Sequence, residues 1–194
     1  MGGVETEGRR GVGLSVLPVD KAAPPRPEEL LARYQRRVYA VIYRMTGRHA
    51  DVDDLCQEAF LQMIRSLPNF RPGTNLDSWA YRIAMNVAID HLRRRGKDRN
   101  LEEGLRTRRG SAVPETELTE ETSKAVREAI DALPPEQKSV VILRLYEGLS
   151  HEEIAGIVEA PVATVRWRYF TSLEKLESVL APFVEPGEVG RELR

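Results

Sequence analysis

Four carboxylates, Asp51, Asp53, Asp54 and Glu58, crowd one short segment, and such a cluster raises the question of divalent-cation chemistry. A calcium loop needs a glycine bend and a fixed ligand spacing, whereas this segment has the apolar period of a helix. His49, His91 and His151 have no metal-site spacing to one another, and the chain contains no GxxxxGK[ST] phosphate loop, HExxH pair or serine-centred elbow. No catalytic residue, metal site or cofactor is expected, and the protein is not expected to be an enzyme. The residues with a shared purpose are of another kind. Trp79, Arg82, Asn86, Arg93 and Arg94 combine a stacking ring, an amide and guanidinium groups, the types that stack on bases and hold phosphates. Arg166, Trp167 and Arg168 repeat the ring and the guanidinium groups downstream.

The elements that must position these residues read as helices. From Pro27 to Met45, the residues Leu30, Leu31, Tyr34, Val38, Val41, Ile42 and Met45 recur at helical spacing, and Gly47 ends the run. A second helix places Val52, Leu55, Cys56, Ala59, Phe60, Met63, Ile64 and Leu67 inward and leaves Asp54, Gln57, Glu58 and Gln62 outside. After Pro68, the stretch Asn69 to Asn75 contains Pro72 and Gly73 and reads as a loop. Asn75 or Asp77 then caps a long helix reaching about Arg95, with Ala80, Ile83, Ala84, Val87, Ala88 and Leu92 inward.

Downstream, Glu120 to Leu133 predicts a helix with Val126, Ile130 and Leu133 inward, which Pro134 and Pro135 break. Glu136 to Tyr146 continues the second core through Val140, Val141, Ile142 and Leu145. Ser150 followed by Glu153 is a capping box, so a short helix starts at His151 and runs to about Val158. Glu159, Ala160 and Pro161 turn the chain. From about Val162, the stripe Val165, Tyr169, Leu173, Leu176 and Leu180 packs inward, leaving Thr164, Arg166, Trp167, Arg168, Phe170, Thr171 and Lys175 more outward. Two helices joined by such a turn form a helix-turn-helix, whose second helix enters the major groove. No strand-like alternation and no internal repeat is found. The chain reads as all-α, with two small helical domains joined by a flexible linker and the helix-turn-helix in the second.

Bulk properties agree without deciding anything. The 194 residues suffice for two small domains, and the net charge of −1 conceals basic HLRRRGKDR and RTRR beside acidic PETELTEETS. One cysteine cannot form an internal disulfide. No apolar run approaches the roughly 18 residues that cross a bilayer, and no signal-peptide pattern opens the chain, so a cytoplasmic protein is expected.

The order D-x-x-Q-E from Asp54, then Phe70-Arg71, then W-x-Y-R-I-A-x-N-x-A-x-D-x-L-R-R-R from Trp79 resembles region 2 of an extracytoplasmic-function (ECF) sigma factor. The segment from Leu133 to Leu176 resembles region 4 of the same family. The resemblance implies a transcription initiation factor that binds core RNA polymerase, recognises minus-ten and minus-thirty-five promoter elements and helps melt DNA. It also implies restraint by an anti-sigma factor. The domains then fall at 27–96 for region 2 and 120–181 for region 4, with an extension at 1–26, a linker at 97–119 and a tail at 182–194.

Carried over residue by residue, Asp54, Gln57 and Glu58 match positions that bind the clamp helices of the polymerase largest subunit. The loop from Asn69 and the start of the next helix match the element that opens the minus-ten region and holds a flipped base, with Phe70, Trp79, Tyr81, Arg82 and Asn86 as candidates. Arg93 and Arg94, with Arg95 and Lys97, would hold phosphates there. Thr164, Arg166, Trp167, Arg168, Phe170 and Thr171 would face the minus-thirty-five element.

Simpler readings stand beside these. Asp51, Asp53 and Asp54 fit a helix N-terminus and its dipole, which is worth about 0.3–1 kcal/mol per charge, but Gln57 and Glu58 lie past the first turn. Phe70 and Trp79 also fit a core. The chain departs from the family pattern on its recognition helix, where Trp167 replaces a small residue and Thr171 and Leu173 stand where Arg is common. Trp167 fits either a thymine methyl or sugar, or burial against a partner. The alternative function is a free-standing helix-turn-helix regulator, which has no need of the face at Asp54, Gln57 and Glu58.

Overall fold

The computed structural model describes residues 25–47, 49–71, 73, 75–101 and 120–181. Helix α1 (Pro27–Thr46) has proline in its first turn, where the missing N–H costs nothing. It stops at Gly47, whose φ of 64° lets its N–H reach Tyr43 O at 2.8 Å. Helix α2 (His49–Ser66) runs into a single 3-10 turn at Leu67–Asn69. Helix α3 (Leu76–Leu101) is capped by Asn75, whose Oδ1 accepts from the Ser78 N–H at 3.1 Å. Asp77 is engaged elsewhere, accepting from the Tyr34 hydroxyl and from Arg33 at 3.1 Å, and so ties α3 to α1.

Helices α4 (Glu120–Asp131), α5 (Pro135–Leu145), α6 (His151–Val158) and α7 (Val162–Leu180) follow, with no strand among the described residues. The expected extension lies outside the described residues except for its last two, as do 102–119 of the expected linker and the tail at 182–194. The expected end of α3 near Arg95 is corrected: the helix continues through Gly96 to Leu101. Glycine weakens a helix interior by about 1 kcal/mol relative to alanine but does not stop one.

The first three helices enclose one apolar cluster. Leu30, Tyr34, Val38 and Ile42 from α1 meet Val52, Leu55, Ala59 and Met63 from α2 and Ala80, Ala84 and Val87 from α3. Two small helical domains were expected, and the second cluster is not confined to α4 to α7. Ile130, Val140, Ile142, Ile154, Ile157, Val165, Tyr169 and Leu176 pack in one continuous group with Val41 and Met45 of α1 and Tyr81, Met85, Ala88 and Ile89 of α3. α3 is therefore shared by both halves, burying Ala80, Ala84 and Val87 on one side and Tyr81, Met85 and Ile89 on another. Its sequence carries the signal, because between Ala80 and Leu92 apolar residues lie almost all round the helix, the pattern of a helix buried on more than one face.

Candidate functional site

Three surfaces carry the residues singled out above. On α2, Asp54, Gln57 and Glu58 are exposed together, with Glu58 accepting from Gln62 Nε2 at 2.8 Å. This face is not purely polar. Leu61 is 45% exposed and Ile64, expected in the core, is 42% exposed. Leu61 follows Gln57 by four residues and Glu58 by three, so it shares their face. That spacing was readable once the buried stripe was narrowed to Val52, Leu55, Ala59 and Met63. Asp51 turns away from this surface and pairs with Arg95 at 3.0 Å, with His91 Nε2 at 3.6 Å. Arg95, expected to hold phosphate, instead ties the end of α3 to the start of α2. Cys56 is half-buried, and burial, then the nearby Asp53 charge, pushes its thiol up to about 11, which keeps it protonated and unreactive.

On α3, Trp79, Arg82, Asn86 and Arg93 form one line along the helix. Trp79 meets Phe70 edge-to-face, with ring centroids 5.3 Å apart, and both rings are half-buried against the first cluster. The aromatic corner thus combines the two readings, since it packs on the core and leaves part of each ring open. Asn86 and Arg94 are exposed, and Arg94 Nε donates to Asp90 O at 3.2 Å. Tyr81 is not on this surface. It is 2% exposed, and its hydroxyl donates to Glu147 Oε2 at 2.6 Å. Burial, and then that hydrogen bond, push the phenol far above its usual range. The expectation of a base contact for Tyr81 is corrected for this conformation. The side chain of Lys97 lies outside the described residues.

The arginines of the line reach to the other half of the molecule. Arg82 donates to Gly156 O at 2.7 Å and pairs with Glu159 at 3.1 Å. Arg93 holds Glu136 Oε1 at 2.6 Å. Burial raises the Glu136 carboxyl, but its own backbone amide and Arg93 outweigh this and hold it below the usual carboxylate range.

The helix-turn-helix forms as its capping signal requires. Ser150 N donates to Glu153 Oε2 at 2.8 Å, and the Glu153 N–H returns to Ser150 Oγ at 3.2 Å. The turn passes through Glu159, whose φ of 51° is left-handed, a conformation rare for a residue with a side chain. Along α7 the candidate residues divide into two stripes. Arg166, Trp167 and Phe170 form an open one, with the rings 61% and 53% exposed. Thr164, Arg168 and Thr171 form a half-buried flank. Val165, Tyr169, Leu173 and Leu176 are buried. Leu173, one departure from the family pattern, is therefore a core residue. His151 packs against Tyr169 and Phe170, at 5.4 and 6.5 Å between centroids, and supports the open stripe from below.

A helical unit with an exposed acidic and apolar face, joined to a helix-turn-helix unit with an open aromatic and basic stripe, is the architecture of a DNA-binding factor. The chain matches Sigma-70 region 2 over residues 30–98 and Sigma-70, region 4 over residues 123–176. It is 37% identical to the ECF RNA polymerase sigma factor SigE of Mycolicibacterium smegmatis over 167 residues, which is 84% of this chain and 64% of that protein. It is 34% identical to the RNA polymerase sigma-H factor of Pseudomonas aeruginosa, covering 80% of this chain and 86% of that one. Its fold is similar to that of the sigma factor RpoE from Bartonella quintana, solved with the anti-sigma factor NepR. The TM-score is 0.65 at 21% identity, over 79% of this chain and 96% of that one.

The chain belongs to the ECF RNA polymerase sigma factors. It is a transcription initiation factor and not an enzyme. No described helix is long and apolar enough to cross a membrane.

Proposed function

We propose that the α2 face of Asp54, Gln57 and Glu58, continued by Leu61 and Ile64, docks on core RNA polymerase, and that the protein works in the cytoplasm. The observation that carries this reading is the exposure of two large apolar side chains, Leu61 and Ile64, on the face of Gln57 and Glu58, which the helix dipole does not account for. Residues 27–96, with α3 continuing to Leu101, act as the region 2 unit, and residues 120–181 act as region 4.

The corner of Phe70 and Trp79, with Arg82, Asn86, Arg93 and Arg94 along α3, receives the minus-ten element. Unstacking a base costs a few kcal/mol, and a ring that replaces the lost stack offsets about 1–3 kcal/mol of it. The open stripe of Arg166, Trp167 and Phe170 meets the minus-thirty-five element, the arginine on base edges and the rings on thymine methyls or sugars. Thr164, Arg168 and Thr171 flank it and act on the backbone. An anti-sigma factor, such as the one bound to the Bartonella quintana relative, restrains the protein.

The test uses the protein assembled with core polymerase on a promoter carrying 2-aminopurine in the minus-ten segment. Asn86→Ala is expected to slow or reduce the fluorescence rise by roughly tenfold, about 1–2 kcal/mol for one lost polar base contact, with core affinity unchanged. An unaltered rise would remove α3 from promoter melting.

A further inference from the structure

Across the helix-turn-helix, residues 151–180, there is no Asn and no Gln. Those amides are the side chains that pair with both adenine edge groups in the major groove, so adenine has no bidentate reader here. Guanine has one. Arg166 is exposed near the start of α7 and held by Glu152 at 3.1 Å, whereas Arg168 is half-buried. Beside that arginine the open face is apolar. Ala163, Trp167 and Phe170 are exposed and stand at i, i+4 and i+7, so one line of helix surface carries a methyl group and two rings. Phe170 is steadied from below by His151 and Tyr169, whose ring centres lie 6.5 and 5.9 Å from its own. The apolar line ends at the exposed Glu174, whose carboxylate phosphates repel, so contact is confined to the first half of α7.

Seven residues of helix span about 10 Å, the rise of roughly three base pairs. In the major groove, the apolar group that a base edge presents is the thymine C5 methyl, and Ala and Phe are among the side chains that meet it. We propose that Trp167 is the specificity-determining residue of this chain. With Ala163 and Phe170 it selects C5-methylated pyrimidines at neighbouring base pairs of the minus-thirty-five element, beside a guanine read by Arg166. This rests on the assignment of α7 to that element and narrows the role of the rings to the methyl groups. The reading is by burial and not by hydrogen bonds, so a pyrimidine is favoured only while its methyl is present. Uracil, which pairs as thymine does, loses the contact; 5-methylcytosine, with its methyl at the same ring position, gains it. Promoter recognition by this chain is thereby sensitive to cytosine C5 methylation within the element.

The experiment uses the full chain assembled with core polymerase and promoter duplexes whose minus-thirty-five segment is randomised. Bound duplexes should be enriched for adjacent thymines next to a guanine. The enriched duplex is then remade with deoxyuridine at each thymine in turn, which should weaken binding about fourfold per methyl, the worth of one buried methyl group. Deoxyuridine in the spacer should change nothing. Cytosine placed at one of those thymine positions should bind more tightly, by about the same factor, when it carries a 5-methyl group. Trp167→Ala changes an exposed side chain, so helical content should stay as in wild type, and at the position the ring covers the variant should bind thymine and uracil duplexes alike.

Absence of thymine enrichment, or equal affinity of the wild-type protein for thymine and uracil duplexes, overturns methyl selection. A loss in Trp167→Ala of equal size on both duplexes overturns it too, by placing the ring on a sugar. Arg166→Ala guards the underlying assignment and should abolish the enrichment of guanine. If it does so while uracil has no effect, α7 reads the element and methyl selection alone fails. If neither Arg166→Ala nor Trp167→Ala alters the enriched sequence, α7 does not read the element and both readings fall.

Discussion

Arg166 illustrates how a side chain earns a role from its surroundings. It stands on the open stripe of α7, is held by Glu152 from α6 at 3.1 Å, and is flanked by the exposed rings of Trp167 and Phe170. An exposed pair of this kind is worth little and exchanges readily for a base edge. Arg166→Ala should therefore reduce promoter selectivity by about 1–3 kcal/mol, measured as the ratio of affinities for matched and altered minus-thirty-five elements. A selectivity profile identical to wild type would place that readout elsewhere. His91 and His151 make a different prediction. Burial above all holds both below the ordinary 6.5; for His91 the Asp51 carboxylate pulls upward next most strongly and Arg95 and Arg94 oppose it, while for His151 Arg144 and Arg166 add to burial against a weaker pull from Glu152. The unfolded chain then takes up protons more readily than the folded one, so their stabilisation is complete above pH 6.5 and is lost as pH falls through the depressed folded values. Tm should fall as pH drops below 6.5, and His91→Gln with His151→Gln should flatten that slope; an equally steep slope in the double variant would exclude these histidines.

Helix α3 is the element on which the two halves depend. Met85 is fully buried where α3 meets region 4, while Ala84 and Val87 next to it face α1 and α2. Met85→Ala should cost about 2–4 kcal/mol in thermal or denaturant unfolding, as a large-to-small change in a closed core does, and should loosen the seam without removing the first cluster. A cost near zero would show that the seam contributes no stability. The caps behave locally: Ser150→Ala should lower stability by about 1 kcal/mol through loss of the capping box at α6. Much of this layer was legible. The bounds of α6 and the start of α7 followed from Ser150, Glu153 and Pro161, and the end of α1 from Gly47, because capping chemistry is local. Tyr81, Ile64 and the shared seam were not read correctly. Periodicity assigns one buried stripe per helix, and α3 has two; its nearly all-round apolar run signals burial on more than one face without saying which element covers the second. The loss of Arg95 to Asp51 has the same origin, since their pairing spans 44 residues of sequence.

At the scale of the whole molecule, the surfaces fall into an order. The acidic and apolar face of α2 and the open stripe of α7 are exposed, whereas Arg82 and Arg93 on α3 are paired with Glu159 and Glu136. The test that bears most directly on the account is the affinity of the purified protein for bacterial core RNA polymerase without DNA, set beside Asp54→Arg. The account predicts tight binding that the reversal weakens at least about tenfold, since opposing like charges across an interface costs several kcal/mol, with helical content unchanged. Absence of binding by the wild-type protein, or equal binding by the variant, would contradict it.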